Sequence, residues 1–498
     1  MSVESHVLEI ESKFDVAVDT PLPDLAGLPH VSAVGVSREI NLEASYYDSP
    51  GLDLVALGIT LRRRRGGDDA GWHLKLPGDS GRHELRVPLG DDERVPRCFE
   101  DLLSGTTRRA ALERVGTIRT RRTVIPLVDA AGRVVAEVCD DRVVGERWHD
   151  GRGTRLVWRE WEIELVRQDR ELAHAAAARL RSAGATPATY ASKLAHVLDV
   201  LPDRSALGQG RSRPSVRDVL APYLGAQVRR LRQLDPQVRA DLPDAVHQMR
   251  VTCRRIRAAL ACYRRDFDRR AAREIRKELG WLVDVLGRER DLEVLRDHLG
   301  ALVARHEAPD AAQEGWIDES LSEDLDAARG AARVALDSER YDALVLALAA
   351  AGWPPWSSRA ERHARGELRR GLRAEWERLQ AAATAAEHAP AGRRDEALHE
   401  VRKVAKRLRY AAEAAEPCLG DRARDLADAM SALQDSLGLH HDEAVARAAV
   451  ARLGQEWPRA AGVSRIIGEL EDQQAVESAI YREGWWQVRH STSARWLV

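Results

Sequence analysis

The chain has 498 residues, more than a single hydrophobic core usually supports, so we expect two or more domains. The formal net charge of −2 conceals 77 Lys and Arg against 79 Asp and Glu, so the positions of charged clusters are more informative than their sum. Five widely spaced cysteines without a C-x-x-C pair argue against a disulfide framework or a zinc site. Neither a signal peptide nor an apolar run of membrane-spanning length is predicted, and these features together favour the cytoplasm.

The first predicted strand is V-L-E-I-E-S-K-F at residues 7–14, in which apolar and charged side chains alternate with a period of two. Glu9, Glu11 and Lys13 fall on one face at spacings of about 7 Å, twice the rise per residue of a strand. A solvated face would explain such a row. The same row could also bind a metal ion beside an anion, and this strand alone leaves both interpretations open.

Charged rows of the same kind recur along the following predicted strands. Their members are Arg62 and Arg64, His73 and Lys75, Arg119 and Arg121, Glu137 and Asp141, and Glu160, Glu162 and Glu164. A solvated face would explain any one row, but an interior with so many charges would be too costly unless it were wet and occupied. The recurrence therefore favours a closed sheet that holds a polyanion bound by Arg and Lys, with divalent cations bound by carboxylates.

Other elements of the first half are predicted from turn and helix signals. Residues 96–115 are predicted to be helical, and Ala130-Ala131-Gly132 is predicted to turn a hairpin. Residues 169–183 are predicted to form a helix capped by an Asp. The Gly-, Ser-, Arg- and Pro-rich stretch 201–213 is predicted to be a linker.

From residue 214 to 498 the strand signals disappear, and Ala, Leu, Arg and Glu at helical spacing predict an all-α domain. H-Q-M-R-V-T-C-R-R-I-R at 247–257 recurs as H-E-V-R-K-V-A-K-R-L-R at 399–409. L-V-D-V-L-G-R-E-R-D at 282–291 recurs in the same way as L-Q-D-S-L-G-L-H-H-D at 433–442. Two ordered matches at nearly one offset predict two similar helical bundles, at about 214–350 and 360–498.

The repeated histidine motif predicts an anion-binding face. On a helix, His247, Arg250, Arg254 and Arg257 fall within an arc of about 80°. Stacked like charges repel, so a stable helix needs a partner anion there. Aromatic side chains for base stacking are scarce and a base-reading motif is absent, so a phosphate polymer is favoured over nucleic acid. The candidate residues are His247, Arg250, Arg254, Arg257, Lys277, Arg290, His399, Arg402, Lys403, Lys406, Arg409 and His441.

The segment E-I-E-S-K at 9–13 resembles the E-x-E-x-K signature of the CYTH domain, the family of triphosphate tunnel metalloenzymes. Y-Y-D-S-P-G-L-D-L, G-I-T-L-R-R-R, W-H-L-K-L-P, the Glu-rich last strand and Ser192-Lys193 follow in the order of that family. The resemblance covers about residues 5–200. It implies that residues 1–200 form an eight-stranded antiparallel β tunnel with flanking helices, which hydrolyses or cyclises triphosphates with Mg²⁺ or Mn²⁺.

The resemblance also implies roles for individual residues. The implied metal ligands are Glu9, Glu11, Asp141, Glu162 and Glu164, with the choice between Asp140 and Asp141 open. The implied triphosphate ligands are Lys13, Arg62, Arg64, Lys75, Arg119, Arg121 and Lys193. Glu84 matches an acidic position of the family and is taken as catalytic together with Glu9, Glu11 and Lys13. In the expected mechanism one metal is shared by Glu9, Glu11, Glu162 and Glu164.

The helical half resembles the CHAD domain, an α-helical domain that binds inorganic polyphosphate and commonly follows a CYTH domain in bacteria. The motifs H-Q-M-R-V-T-C-R-R-I-R-A-A-L and W-L-V-D-V-L-G-R-E-R-D carry this resemblance, over about residues 213–498. The predicted fold is therefore α+β and multidomain, with the tunnel at 1–200, the linker at 201–213 and the helical domain at 214–498.

The predicted function is metal-dependent hydrolysis of inorganic triphosphate, or of a related triphosphate, with polyphosphate bound by the helical domain. One alternative is a non-catalytic protein that binds or targets polyphosphate. Further alternatives are an adenylate cyclase of the class IV type and a thiamine triphosphatase. Association with polyphosphate granules is an additional hypothesis, and neither a specific nucleic acid nor a membrane is expected as a partner.

Overall fold

The computed structural model describes residues 5–79, 81–90, 93–149, 152–201, 213–304, 311–350, 352–436, 485 and 496–497. The chain divides into two compact units. The first comprises Met1–Arg204 with Asp235–Ala240, and the second comprises Ser205–Leu234 with Asp241–Val498. In its described parts the first unit is rich in strands and the second is helical.

The strands of the first unit follow the alternating segments of the sequence. They are β1 (Ser5–Val16), β2 (Ala33–Val34), β3 (Arg38–Asp48), β4 (Thr60–Arg65), β5 (Gly71–Pro77), β6 (Arg82–Pro88), β7 (Glu113–Val128), β8 (Val134–His149), β9 (Arg152–Leu165) and β10 (Thr186–Pro187). The helices of this unit are α1 (Asp53–Ala56), α2 (Arg97–Leu103), α3 (Arg170–Ser182) and α4 (Lys193–Leu198). The predicted hairpin is formed by β7 and β8, which are longer than expected.

The eight longer strands form a closed antiparallel barrel within the described residues. The order around the ring is β1, β6, β5, β4, β3, β7, β8 and β9, and β9 pairs back with β1. The first strand has two partners, because Ser5–Glu9 pairs with β6 and Ile10–Val16 pairs with β9. The predicted eight-stranded tunnel is confirmed.

The outer face of β1, β7, β8 and β9 is apolar and packs under α3. Phe14, Val138 and Trp161 are buried there against Leu172. The helix begins as predicted after Asp169, whose carboxylate accepts a hydrogen bond from the backbone N–H of Leu172. Because side chains alternate across a strand, an apolar outer face directs the charged rows into the barrel.

The short helix α4 packs against inward-facing apolar side chains of the barrel. Ala44, Ile118 and Val143 contact this helix. The helix is capped by Ser192, whose side chain accepts a hydrogen bond from the backbone N–H of Ala195. This packing fixes its first residue, Lys193, at the barrel interior.

The second unit contains the remaining helices. They are α5 (Val216–Arg239), α6 (Ala245–Cys262), α7 (Arg269–Ala304), α8 (Ala311–Leu336), α9 (Glu339–Ala349), α10 (Ala364–Glu387) and α11 (Arg394–Leu419), with 3-10 turns at Ser358–Glu361 and Ala391–Arg393 and a further helix over 421–436. None of the described helices has the length and apolar composition needed to span a bilayer.

The two helices that carry the repeated histidine motif, α6 and α11, pack against each other. The hydroxyl of Tyr263 donates to the backbone oxygen of Ala411 at 2.7 Å, and Arg255 pairs with Glu413 at 3.0 Å. Helix α7 packs on the other side of α6, and α10 packs on α11. Equivalent parts of the two repeats therefore meet at one surface.

The helix predicted at 96–115 is shorter than expected. Helix α2 ends at Leu103, and β7 begins at Glu113. Between them Arg108 and Arg109 have φ angles of 54° and 58°, a conformation that cannot continue a right-handed helix.

Candidate functional site

The barrel encloses a cavity of about 200 Å³ that is lined by side chains from all eight longer strands and from α4. The predicted residues that line it are Glu9, Glu11, Lys13, Arg62, Arg64, Lys75, Glu84, Glu162, Glu164 and Lys193. The charged rows of separate strands therefore meet in one interior, where carboxylates alternate with Lys and Arg.

A first group of carboxylates is formed by β1 and β9. Oxygens of Glu9, Glu11 and Glu164 lie within 4.8 Å of one another. The Nζ of Lys75 lies 2.5 Å from a Glu9 oxygen, and the Nζ of Lys13 lies 2.7 Å from a Glu11 oxygen. Three hard oxygen donors at this spacing fit Mg²⁺ or Mn²⁺.

A second group is formed by β8 and β9. Oxygens of Asp141, Glu160 and Glu162 also lie within 4.8 Å of one another. The Nζ of Lys193 lies 2.9, 2.6 and 2.8 Å from these three carboxylates. Because one ammonium group contacts all three, this group also has the composition and spacing of a cation site.

Ion pairs hold Glu11 and Glu162 in the charged form. Burial alone would raise the pKa of Glu11, but the positive charges of Lys13, Lys75 and Arg82 together outweigh it and lower the pKa to about 2. Burial likewise opposes ionisation of Glu162, whose pKa is nevertheless lowered by Lys13 and Lys193. For Glu164 burial prevails and raises the pKa. An additional cation would therefore stabilise the charged form of Glu164 most directly.

Glu84 is 2% exposed and lies between predicted phosphate ligands. Its carboxylate is 3.6 Å from Arg62 and 3.6 Å from Lys75, and the Nδ1 of His73 lies 2.9 Å from it. Burial lowers the pKa of His73 to about 4. The carboxylate of Glu84 is hydrogen-bonded to His73 and Arg86, and it lies at ion-pair distance from Arg62 and Lys75.

The structure contradicts the prediction that Arg119 and Arg121 line the tunnel. Their side chains are 53% and 55% exposed and pair with carboxylates of the outer face. The neighbouring Arg122 lies in the cavity instead, where its guanidinium donates two hydrogen bonds of 2.8 Å to Asp141. The β7 side chains that face the interior are therefore those of the opposite alternation, one residue away from the predicted positions.

Two further predictions about carboxylates are resolved by the geometry. Asp141 is fully buried on the interior side, whereas Asp140 pairs with Arg159 at 2.8 Å on the outer side. Glu162, which was expected to share one metal with Glu9, Glu11 and Glu164, belongs to the second carboxylate group.

Several residues of the cavity were missed. They are Arg38, Tyr46, Arg82, Arg86 and Arg122, whereas Glu137, a member of one predicted charged row, does line the cavity. The segment R-H-E-L-R at 82–86 places two arginines on the same face as Glu84, so the period-two argument could have found them.

In the helical unit, side chains of α6, α7 and α11 surround a second cavity of about 690 Å³, here called the basic groove. Its predicted lining residues are His247, Arg250, Arg254, Arg257, Arg290, His399, Arg402, Lys403 and Lys406. Basic side chains from both sequence repeats therefore face one space.

The basic groove contains guanidinium groups that are poorly solvated. Arg250 donates to the backbone oxygen of Gly287 at 3.2 Å and lies 3.4 Å from Asp291, but its buried Nε has no hydrogen-bond partner among the described residues. Burial, followed by the charge of Arg254, lowers the pKa of Arg250, and burial also lowers the pKa of His247. Burial is the main cause of both shifts and the neighbouring arginines add to it, so a bound anion would stabilise the charged forms of these bases.

Two predicted groove residues are placed elsewhere. Lys277 is exposed outside the lining, which its neighbour Arg276 joins instead. Arg409 pairs with Glu413 at 3.1 Å and does not line the groove. A third predicted residue, His441, lies outside the described residues. The polar lining residues absent from the predicted set are Arg276, Asp284, Asp291, Arg407 and Tyr410.

A closed barrel with a charged interior, joined to a helical unit with repeated basic helices, defines a triphosphate tunnel protein that carries a second, helical domain. The family model described as the CYTH domain matches residues 8–194, and that described as the CHAD domain matches residues 222–451. The chain belongs to the family of proteins in which a CYTH domain is followed by a CHAD domain.

A relative of similar length supports this membership. The chain is 38% identical over 466 residues to "Uncharacterized protein Rv2226" of Mycobacterium tuberculosis (strain ATCC 25618 / H37Rv), a match that covers 88% of this chain and 87% of the relative. The solved structure of "PptA from Streptomyces chartreusis" is 23% identical, with a TM-score of 0.45, and covers 56% of this chain and 100% of its own. The CHAD domain from the plant Ricinus communis is 25% identical, with a TM-score of 0.44, and covers 57% of this chain and 96% of its own.

Proposed function

We propose that the barrel hydrolyses inorganic triphosphate with the help of Mg²⁺ or Mn²⁺, and that the basic groove binds polyphosphate. The observation that carries the first part is the meeting of two carboxylate groups with Lys and Arg around one cavity. A site for a bare anion would need only the bases, and carboxylates would repel the ligand. The mixture suits an anion that enters together with cations.

Binding would proceed by an exchange of ionic partners. Lys75 and Lys13 now neutralise Glu9 and Glu11, and phosphoryl oxygens can replace those carboxylates as hydrogen-bond acceptors. The released carboxylates then require a new cation, which Glu9, Glu11 and Glu164 would hold. Once bound, the divalent cation neutralises phosphoryl oxygens and polarises the phosphorus toward water.

The protein's own side chains fix the phosphate chain. Glu84 lies at ion-pair distance from both Arg62 and Lys75, so their donors are held near one another before the substrate arrives. Lys13 and Lys193 meet at Glu162, on the side of the cavity formed by β1, β9 and α4. Donors on several walls suit a short phosphate chain, which has negative oxygens along its whole length.

Phosphate release from inorganic triphosphate, measured with Mg²⁺ or Mn²⁺ and with EDTA, tests the tunnel. We expect metal-dependent turnover that falls by at least about 100-fold in a Glu9→Gln/Glu11→Gln double variant, the usual scale for a lost electrostatic group. An Arg119→Ala/Arg121→Ala double variant is the matched control and should keep its rate, because both side chains lie on the outer face.

A protein with no metal-dependent release from any triphosphate would sink the hydrolase proposal and leave a binding tunnel. Formation of cyclic AMP from ATP would instead indicate a cyclase.

The groove proposal is carried by basic side chains of two repeats that face one cavity. Arg254 has no ion-pair partner among the described residues, and its face is not neutralised by the carboxylates of Asp284 and Asp291 alone. Tyr410 is the only Phe, Tyr or Trp side chain among the described lining residues, so stacking of several bases is poorly supported. A polymer of phosphate without bases fits these features best, and it would bring the barrel to sites where polyphosphate accumulates.

Retention of the full chain on immobilised polyphosphate tests the groove. Charge reversal by Arg250→Glu, Arg254→Glu and Arg402→Glu should abolish retention, because attraction becomes repulsion at three contacts. The matched control reverses Arg269, Arg270 and Arg373, which are exposed and outside the groove lining, and should retain binding. Equal retention by both triple variants would refute the groove as the binding site.

A further inference from the structure

Two glycines of α7 lie directly against arginines of the basic groove. A Cβ on Gly287 would lie 3.4 Å from the Nη2 of Arg250, and a Cβ on Gly280 would lie 3.3 Å from the Nη2 of Arg257. Around Gly287, apart from the adjacent residues and the helix backbone, only the guanidinium of Arg250 supplies described atoms within 4 Å. Each guanidinium therefore lies next to the position that a side chain at the glycine would occupy.

The two contacts form a regular pattern. Arg250 and Arg257 are separated by two turns of α6, and Gly287 and Gly280 are separated by two turns of α7 in the opposite direction. Arg250 also donates to the backbone oxygen of Gly287 at 3.2 Å and is only 8% exposed. The guanidinium thus lies along the backbone of α7, which a side chain at the glycine would keep at a distance.

Glycine inside a helix lowers helix stability, because it gains nothing from side-chain packing and loses more backbone freedom than alanine. Neither Gly280 nor Gly287 has a positive φ that would require glycine. A methyl group at position 287 would be in ordinary van der Waals contact with Arg250, and one at position 280 would be slightly tight against Arg257, so a side chain larger than alanine would displace either guanidinium.

The second repeat provides an internal comparison. Ser431 stands two residues before its motif, as Gly280 does in the first repeat, and the arginine that corresponds to Arg257 is Arg409. Arg409 lies outside the groove lining and pairs with Glu413 at 3.1 Å. In the second repeat, Ser431 thus replaces the glycine that corresponds to Gly280, and the arginine that corresponds to Arg257 lies outside the groove lining.

We propose that Gly280 and Gly287 are positioning residues for anion binding: they allow Arg257 and Arg250 to rest on the backbone of α7 and to present their remaining donors to the groove. This inference rests on the proposed binding of polyphosphate in the groove. It assigns the two glycines a role in affinity that acts only through the arginines.

The experiment measures polyphosphate affinity and thermal unfolding of the full chain in a size series, Gly287→Ala and Gly287→Val. Matched controls are Gly330→Ala and Gly330→Val in α8, where no described atom comes within 4 Å of a Cβ. All four changes improve helix propensity, so the unfolding temperature should stay equal or rise. Affinity should stay near the wild-type value in Gly287→Ala, whose methyl group fits beside Arg250, and should fall by about tenfold only in Gly287→Val, the scale of one hydrogen bond to a charged group.

A second measurement separates positioning from general damage. In an Arg250→Ala background, Gly287→Val should cause little further loss, because the glycine acts through that arginine. Wild-type affinity in Gly287→Val, an equal loss in Gly330→Val, or an undiminished loss in the Arg250→Ala background each overturns the inference while leaving the groove proposal intact. A wild-type chain that does not bind polyphosphate overturns the proposed function and this inference with it.

Discussion

Arg122 is the side chain on which the charge balance of the barrel interior depends most directly. Its guanidinium contacts Asp141 at 2.8 Å, Glu164 at 2.9 Å and also Glu162. Burial opposes its charge, but the carboxylates of Glu162 and Asp141 raise its pKa well above the ordinary value. The positive charge of Arg122 thus neutralises carboxylates of both the first and the second carboxylate group.

We expect Arg122→Met to lower the free energy of unfolding by about 3–5 kcal/mol, because it leaves buried carboxylates without their partner. Arg121→Met, one residue away on the outer face, should change it by less than about 0.5 kcal/mol. Denaturant titration of both variants measures the difference. Added Mg²⁺ should restore part of the loss in Arg122→Met, since a divalent cation replaces the missing charge, and equal stability of the two variants would contradict this assignment.

The error at Arg121 has a simple physical origin. In R-T-R-R at 119–122, arginines occupy both faces of the strand, so alternation alone cannot select the inner one. The discriminating signal was in the neighbours: Thr120 and Val124 share the parity of Arg122 and line the cavity. Segments with a single charged parity, such as residues 9–13 of β1 and 160–165 of β9, were placed correctly because only one of their faces is apolar.

At the scale of elements, helix α6 concentrates positive charge because its basic side chains lie on one face. His247, Arg250, Arg254 and Arg257 all line the basic groove, as the 100° advance per residue predicts. The same rule failed for Lys277 in α7, because two adjacent basic residues left the choice of face open. It failed for Arg409 because Glu413, one turn further along α11, offers a closer partner.

The proposed binding of polyphosphate should depend on pH through His247. Burial, with help from nearby arginines, keeps the pKa of its imidazole below the ordinary 6.5 in the free protein. A bound polyanion would raise that pKa, so binding takes up a proton and affinity should increase as pH falls through the region below 6.5.

Affinities measured at about pH 7.5 and about pH 5.5 test this sign. His247→Gln should reduce the slope, whereas His363→Gln, at an exposed histidine outside the groove lining, should leave it unchanged. If polyphosphate affinity changed with pH to the same extent in both variants, His247 would not be the group responsible for the pH dependence.

At the scale of the whole molecule, the near-zero net charge results from two regions that compensate charge differently. In the barrel, opposite charges neutralise one another inside a closed wall, and this closure was predictable because so many charged faces require a shared wet interior. In the helical unit, like charges from two repeats face one another. The grouping of Glu162 with Asp141 rather than with Glu9 was not predictable, because it depends on the register between β8 and β9, which is set by contacts across the sheet.

The double pairing of β1 has a consequence for how the protein is made. Its first half needs β6 and its second half needs β9, a strand that is synthesised about 150 residues later and must return across the whole sheet. Glu11 and Lys13 therefore lie on the seam between β1 and β9, and a nascent chain without Arg152–Leu165 lacks Glu164, the third member of the first carboxylate group. The proposed hydrolysis of triphosphate would require the completed barrel, so partly synthesised chains on the ribosome should lack this activity.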